Sequence, residues 1–374
     1  MDLHALIVDR TFQRDHWDAA PLYQTGEADR FAALVSVTEV DHAVASGLLN
    51  ISYTDARKGE SRTYLTEGDS PPRPATDAYL ARLSGGATLI LDGAERQLPG
   101  LGALCRRLMA RTGHPWHCNL YVTPPGGQGF AGHVDDSGVF VLQIFGSKHW
   151  RYGQAQVCRP VRGEDHPVAP EGWEADAQEA TLTAGDLLYL PRGVPHAAST
   201  SDEGSLHVTL TVSEVSWAPV AGVEAGAPDD PLRDVLPMGF HRDEAALMEG
   251  LARHGIDDAT KKARDFLDRL AGRFRPDFTG RLSAALQPVS VTLETPLTPC
   301  PDLSWRLSPQ GDAVQLICGP IRLDLPPRAA EAVRAALQRP MTVSGLPGEL
   351  TNPERVALAK CLVEHGLVAR ADRG

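Results

Sequence analysis

The residues best suited to chemistry lie in one stretch, Ala131-Gly-His-Val-Asp-Asp-Ser-Gly-Val-Phe-Val-Leu-Gln-Ile-Phe-Gly-Ser-Lys-His-Trp150. His133 and Asp135 are two positions apart, so on a strand both side chains face one side and one point in space. Gly193-Val-Pro-His196 supplies a candidate third ligand. Two histidines and one aspartate make a facial triad of the kind that holds non-haem Fe(II) and leaves positions open for a co-substrate and O2. With no thiolate in the set, Fe, Mn or Ni is favoured over a structural zinc site. A single histidine is more often a packing or surface residue. What carries the metal reading is its combination with Gly185-Asp-Leu-Leu-Tyr-Leu-Pro-Arg-Gly-Val-Pro-His196. There a Gly-Asp turn feeds an apolar strand, and Pro-Arg-Gly-x-Pro bends the chain so that the histidine points inward. Asp135 and His196 are too far apart for a local motif and fit opposite strands of a barrel.

These residues need a scaffold of short strands. From Cys118 to Val212 the pattern is β-rich: Asn119–Thr123, Val139–Phe145, a strand pair over Thr181–Leu190 broken at Gly185-Asp186, and Leu206–Val212. Such spacing with Gly/Pro turns predicts a sandwich or barrel. Glu171–Glu179, with Trp173, is expected to be a surface insertion near the mouth. Upstream, residues 1–60 are mixed and helical, with Phe12-x-x-x-His16-Trp17 on one helical face before Pro21. Ser61–Asp77 is polar and proline-rich, so a loop is expected. Ala87–Leu91 predicts a strand, and Leu98, Leu101, Leu104, Cys105 and Leu108 have a helical period.

Downstream, Pro219–Asp230 has linker composition. Asp243–Phe274 is helical, with a stripe of Ala263, Phe266, Leu267, Leu270 and Phe274. Beyond residue 291, strands over Ala313–Ile317 and Ile321–Leu325 precede helices near Arg328–Leu337 and Pro353–His365. Asn352 is the expected N-cap of the last helix and Gly366 its stop. This arrangement resembles a small winged-helix module.

The 374 residues suffice for two or three domains, and 42% hydrophobic with 22% charged residues is ordinary for a globular chain. No apolar run approaches the roughly 20 residues of a membrane span. The first ten residues lack a basic region ahead of an apolar run, which argues against a secretory signal. Six scattered cysteines without a C-x-x-C pair point to reduced thiols and a cytoplasmic protein. A net charge of −12 repels phosphate backbones and suits a basic polypeptide. From Val291 to Gly374, nine basic and nine acidic residues leave no basic stripe, so direct nucleic-acid binding is not expected. Of five lysines, Lys148 is the only one between Lys58 and Lys261.

Several stretches together resemble the cupin-type JmjC ribosomal oxygenases, which are Fe(II)- and 2-oxoglutarate-dependent protein hydroxylases. They are Phe12-x-x-x-His16-Trp17, Asn119-Leu-Tyr-Val-Thr-Pro-Pro-Gly-Gly-Gln128, His133-Val-Asp-Asp136, Val139-Phe-Val-Leu-Gln143, Lys148-His-Trp150, Gly185-Asp186 through His196, and His207-Val-Thr209. The resemblance implies a mixed α+β fold: a double-stranded β-helix (cupin/JmjC) barrel with N-terminal helices, a helical dimerisation segment and a C-terminal winged-helix-like domain. The corresponding division is 1–218 catalytic, 230–285 dimerisation and 291–374 winged-helix-like. It implies His133, Asp135 and His196 as Fe(II) ligands and Lys148 as partner of the distal carboxylate of 2-oxoglutarate. A cation on a barrel strand suits a buried dianion that is otherwise costly to desolvate. Asn119, Tyr121 and His207 match polar residues beside the co-substrate or substrate, and Thr209 faces the same way.

Departures from the family pattern sit at the mouth: Val134 where Tyr is frequent, Gly132 where Pro is expected, and Ser137-Gly138 where an acid is common. They bear on the substrate more than on the metal. The implied activity is O2-dependent hydroxylation of an Arg or His side chain of a protein, with a basic ribosomal protein as candidate and a homodimer as the expected assembly. Alternatives are a hydroxylase of a ribosomally made peptide or small-molecule precursor, a lysine demethylase, or a non-enzymatic cupin scaffold or regulator that binds partners through its winged-helix module.

Overall fold

A computed structural model describes residues 1–370 except 2, 47–49, 65, 68–72, 75, 163, 165–168, 278–285 and 287–289. The chain divides into two compact units, Met1–Arg242 and Asp243–Gly374.

The first unit is built on antiparallel strand pairs, several of them with one long member. Those before the site are β1 (Leu22–Gln24), β2 (Asn50–Asp55), β3 (Glu60–Tyr64), the ribbon β4 (Thr66–Glu67) and β5 (Arg73–Pro74), and β6 (Thr88–Asp92). Those that form the site are β7 (Trp116–Thr123), β8 (His133–Val134), β9 (Gly138–Tyr152), β10 (Gln178–Thr183), β11 (Leu187–Leu190), β12 (Pro195–Ser199) and β13 (Ser205–Val212). The main sheet runs β1-β11-β9-β13-β7-β6-β2-β3, and β10, β12 and β8 close the other side through the far half of β9.

Both faces of β11 and of the first part of β9, Gly138–Gln143, are covered, which is why they read as nearly continuous apolar runs. Phe140, Leu142, Leu187 and Tyr189 join Cys118, Leu120, Val208 and Leu210 in a core outside the barrel. That core is shared with Leu101, Leu104 and Leu108 of the helix Pro99–Thr112, each fully or almost fully buried. Each such leucine contributes roughly 1.5–3 kcal/mol. The helix is bounded by proline at its first turn and by Gly113 at φ 80, the left-handed stop its sequence demands. Val139, Val141, Leu188 and Leu190 point the other way, into the barrel, with Trp150, Tyr152 and Leu182.

The inward set changes parity along β9. Val139 and Val141 face in before the turn of register, and Lys148 and Trp150 after it. The cause is a β-bulge: Leu206 pairs with Phe145 and His207 with Gln143, so Ile144 has no opposite number. Gly146 follows at φ +65, where a Cβ would run into the Gly204 carbonyl.

Three local expectations need correction. Ser61–Asp77 is not a plain loop: β3, β4 and β5 occupy part of it and a helix begins at Thr76, while 65, 68–72 and 75 lie outside the described residues. The strands over 181–190 do not pair with each other; β10 and β11 each pair with β9. In the Glu171–Glu179 insertion, Trp173–Asp176 is a 3-10 turn and Gln178 already starts β10.

The second unit holds helices Glu244–Arg253 and Ala259–Arg273, and the expected stripe of the latter is buried. Arg306 ties both helices to a strand, through Glu244 at 2.6 Å and Asp268 at 2.5 Å. Two three-stranded antiparallel sheets and helices Ala330–Gln338 and Asn352–Glu364 complete it. The last helix is capped by Thr351, not Asn352: Thr351 and Glu354 form a reciprocal capping box. Residues 278–285 of the expected dimerisation segment lie outside the described residues.

Candidate metal centre and its cavity

His133 on β8 and His196 on β12 are direct cross-strand partners, with ring centroids 4.3 Å apart. Asp135 follows β8 immediately. Its backbone carbonyl accepts the Gly193 N–H at 2.9 Å, tying the two ligand-bearing segments together. One ligand atom from each of His133, Asp135 and His196 lies within 4.8 Å of the others. The Asp135 carboxylate sits 3.8 Å from His133 Nε2 and 3.5 Å from His196 Nε2.

Each histidine is oriented by its own backbone. His133 Nδ1 bonds the Ala131 carbonyl at 2.8 Å and His196 Nδ1 the Val194 carbonyl at 3.0 Å. A carbonyl only accepts, so Nδ1 carries the proton and the Nε2 lone pair of both rings is turned to the carboxylate. Burial pushes His196 down to about 4, and neighbouring His133 adds to the effect. At neutral pH the ring is therefore the uncharged imidazole a metal requires.

The three residues open onto a cavity of about 510 Å³ whose wall includes Lys148, Tyr121, His207, Thr209 and Trp150. Lys148 is 4% exposed and donates from Nζ to Thr123 Oγ1 at 2.9 Å; Thr123 in turn bonds Thr88 at 3.1 Å. Burial, unrelieved by any carboxylate partner among the described residues, pushes its amine down to about 7. His207 stacks on Tyr121 at 4.8 Å, its cross-strand partner, and meets Trp150 edge-on at 5.6 Å. Burial, with the Lys148 charge, holds its pKa well below the usual histidine range.

Two buried polar atoms on this wall, His207 Nδ1 and Trp150 Nε1, have no hydrogen-bond partner among the described residues. Such atoms cost about 1–3 kcal/mol each unless something polar reaches them. Two imidazoles and a carboxylate, beside a buried lysine and unpaired polar atoms, fit a divalent metal and an anionic small molecule together.

Of the residues expected from the sequence, His133, Asp135, His196, Lys148, Tyr121 and His207 share this cavity. Asn119 lies outside its lining, and its Oδ1 accepts the Gly93 N–H at 3.0 Å. Sequence alone does not single out Thr123, Trp150 or Phe130 as site residues. Two-residue alternation from Tyr121 and from Lys148 was the available signal for the first two. At the mouth, a Cβ on Gly132 would lie 2.7 Å from the Trp173 indole nitrogen, so a larger residue fits there only if that indole moves.

Residues 101–220 match the JmjC domain family. The chain is 30% identical over 279 residues to the bifunctional lysine-specific demethylase and histidyl-hydroxylase NO66 of Culex quinquefasciatus, covering 69% of this chain and 42% of that protein. It is 34% identical over 209 residues to ribosomal oxygenase 1 of Gallus gallus, covering 54% of this chain and 34% of that protein. The aligned region is thus less than half the length of either relative. Among solved structures, the Escherichia coli ribosomal oxygenase YcfD in complex with cobalt and 2-oxoglutarate superposes with a TM-score of 0.52 at 17% identity, over 96% of each chain. That likeness shows a shared fold, with a large antiparallel sheet of the JmjC/cupin kind. Among the described residues, no helix is long and apolar enough to cross a membrane.

Proposed function

We propose that this chain, which carries a JmjC domain over residues 101–220 and is similar to ribosomal oxygenases, is an Fe(II)- and 2-oxoglutarate-dependent dioxygenase that hydroxylates a protein side chain. The observation that carries the reading is the His133/Asp135/His196 cluster opening onto a cavity with Lys148 buried in its wall. In this reading the triad holds the metal, and Lys148 holds the distal carboxylate of 2-oxoglutarate with Tyr121 and His207 beside it. Bound Fe(II), 2-oxoglutarate and O2 supply the oxidising chemistry: one oxygen atom enters a substrate C–H bond and the other leaves in succinate, with CO2 lost. The protein contributes fixed ligands, a charge-matched pocket and apolar walls at Val139 and Val141 that limit water.

The target side chain is Arg or His of a polypeptide, and a basic ribosomal protein suits a chain of net charge −12. The name of the Culex relative supports His and also supports a second reading, lysine demethylation. Release of formaldehyde, against a stable gain of one oxygen, separates the two. Residues 1–218 would be the catalytic domain, 230–285 a dimerisation segment and 291–374 a winged-helix-like domain, in a cytoplasmic homodimer. Light scattering of the full chain tests the dimer.

The central test is spectroscopic. Anaerobic protein with Fe(II) and 2-oxoglutarate should show a weak metal-to-ligand absorption band that His133→Ala abolishes. No band at full metal occupancy refutes the oxygenase reading. Mass spectrometry of ribosomal proteins from cells with and without the protein then identifies the target.

A further inference from the structure

Arg192 lies in the turn that delivers His196, and is itself 2% exposed. Its guanidinium makes a two-point pair with Asp18, Nε to Oδ1 at 2.8 Å and Nη2 to Oδ2 at 3.0 Å. It also donates to the Pro160 carbonyl at 2.9 Å and the Arg233 carbonyl at 2.8 Å. Asp18 follows the Phe12-x-x-x-His16-Trp17 motif and adopts φ 49, a strained conformation for a non-glycine residue. Its N–H bonds the Tyr189 hydroxyl at 3.0 Å, and Gln156 bridges its carboxylate, at 3.2 Å, to the Arg192 carbonyl, at 2.8 Å.

Backbone hydrogen bonds hold the turn on its other sides. Gly193 N–H reaches the Asp135 carbonyl at 2.9 Å, Val157 N–H the Gly193 carbonyl at 2.9 Å, and Gly153 N–H the Pro195 carbonyl at 2.8 Å. Arg192 is thus the side chain through which the N-terminal motif grips the segment joining two ligands. The half-buried Glu214 also faces this guanidinium.

We propose that Asp18, acting through Arg192, is a positioning residue for the metal centre: it locks the Pro191–Pro195 turn so that His196 keeps its ligating geometry, and the Asp135 backbone its place, before any metal arrives. The proposal rests on the metal-site reading above and deepens it. It assigns to the N-terminal motif a role at the site that the motif does not touch.

Asp18→Asn and the milder Arg192→Lys test it in the full chain by two measurements. In metal-free protein, hydrogen exchange over 191–196 and 153–158 should accelerate about tenfold or more, while interior amides of β9 and β13 keep wild-type rates. In parallel, Mn(II) affinity should fall about 10–100-fold, the range for groups that orient metal ligands. The double variant Asp18→Asn/Arg192→Met removes the unpaired charge, so its melting temperature should recover while Mn(II) affinity stays weak. Unchanged exchange at the turn, acceleration spread evenly through the first unit, or affinity that recovers with the melting temperature each overturns the proposal. If wild-type protein binds no Mn(II), the failure belongs to the metal-site reading, and the exchange measurement alone supports or overturns the clamp.

Discussion

Lys148→Met should make the protein free of metal and co-substrate more stable. The amine titrates at its ordinary 10.5 in the unfolded chain and about 7 in the fold, because burial penalises its charge. That gap corresponds to roughly 5 kcal/mol at about 1.4 kcal/mol per pH unit. Water entering the cavity relieves part of it, so the expected gain is about 2–5 kcal/mol. Methionine is of similar length, and Thr123 keeps its 3.1 Å bond to Thr88 when the amine is gone. Below pH 7 both states are protonated and the penalty is full. Between pH 7 and 10.5 the unfolded chain holds the extra proton, so wild-type stability rises with pH and the advantage of the variant shrinks. Urea denaturation followed by tryptophan fluorescence reads mainly the first unit, which contains five of the six tryptophans. The variant should lead at pH 6.5, and its lead should fall to about a third at pH 9.5. Adding Mn(II) and 2-oxoglutarate should stabilise wild type and not the variant. A variant no more stable than wild type at pH 6.5, or a lead that does not change with pH, refutes the reasoning.

His114 is buried between the Val215 N–H at 3.0 Å and the Leu236 carbonyl at 3.1 Å, and burial pushes it down to about 3. Its contribution is complete above pH 6.5 and is lost as pH falls towards 3. The first unit should therefore lose about 2–3 kcal/mol from this group between pH 6.5 and 4.5, and His114→Asn should show a smaller loss in the same urea titrations; equal losses count against it. Gly146 and Gly172 are both left-handed, but only Gly146 faces a carbonyl that a Cβ would strike. Gly172→Ala should cost about 1 kcal/mol and Gly146→Ala at least about 3, by thermal melting. Gly132→Ala should displace Trp173, shifting its emission and raising the KM for a polypeptide substrate while Mn(II) affinity holds. An unshifted spectrum with unchanged KM removes Trp173 from the mouth.

The pattern of His133, Asp135 and His196 was legible because a two-residue period and a Gly/Pro turn are local signals, and the fold needed only to bring two strands together. The helix over Pro99–Thr112 was legible for the same reason. The pairing of β10 and β11 with β9 was not, since strand partners far apart in sequence leave no mark in either strand. Nor was β3, an edge strand that pairs with β2 and has a polar and aromatic sequence. Thr351 and Asn352 are both good caps by residue type, and the reciprocal bond from Glu354 decides between them. Asn119 shares the alternation of Tyr121 but lies where the Gly93 turn reaches its amide, a contact set by the neighbouring strand.

The bulge beside Gly146 makes β9 two reading frames joined end to end. Residues 138–143 are read in odd frame and supply apolar wall near the metal ligands; residues 147–152 are read in even frame and supply Lys148 and Trp150. Deleting Ile144, which has no opposite number, would join the two frames into one regular strand and keep Lys148 and Trp150 inward, whereas removing a residue from either paired half would turn its outward set in. Length changes within a paired half act on the pocket wholesale, whereas substitutions on one side of the joint leave the other side's frame intact. The two halves of the site can therefore diverge separately, so long as the spacing between them is kept.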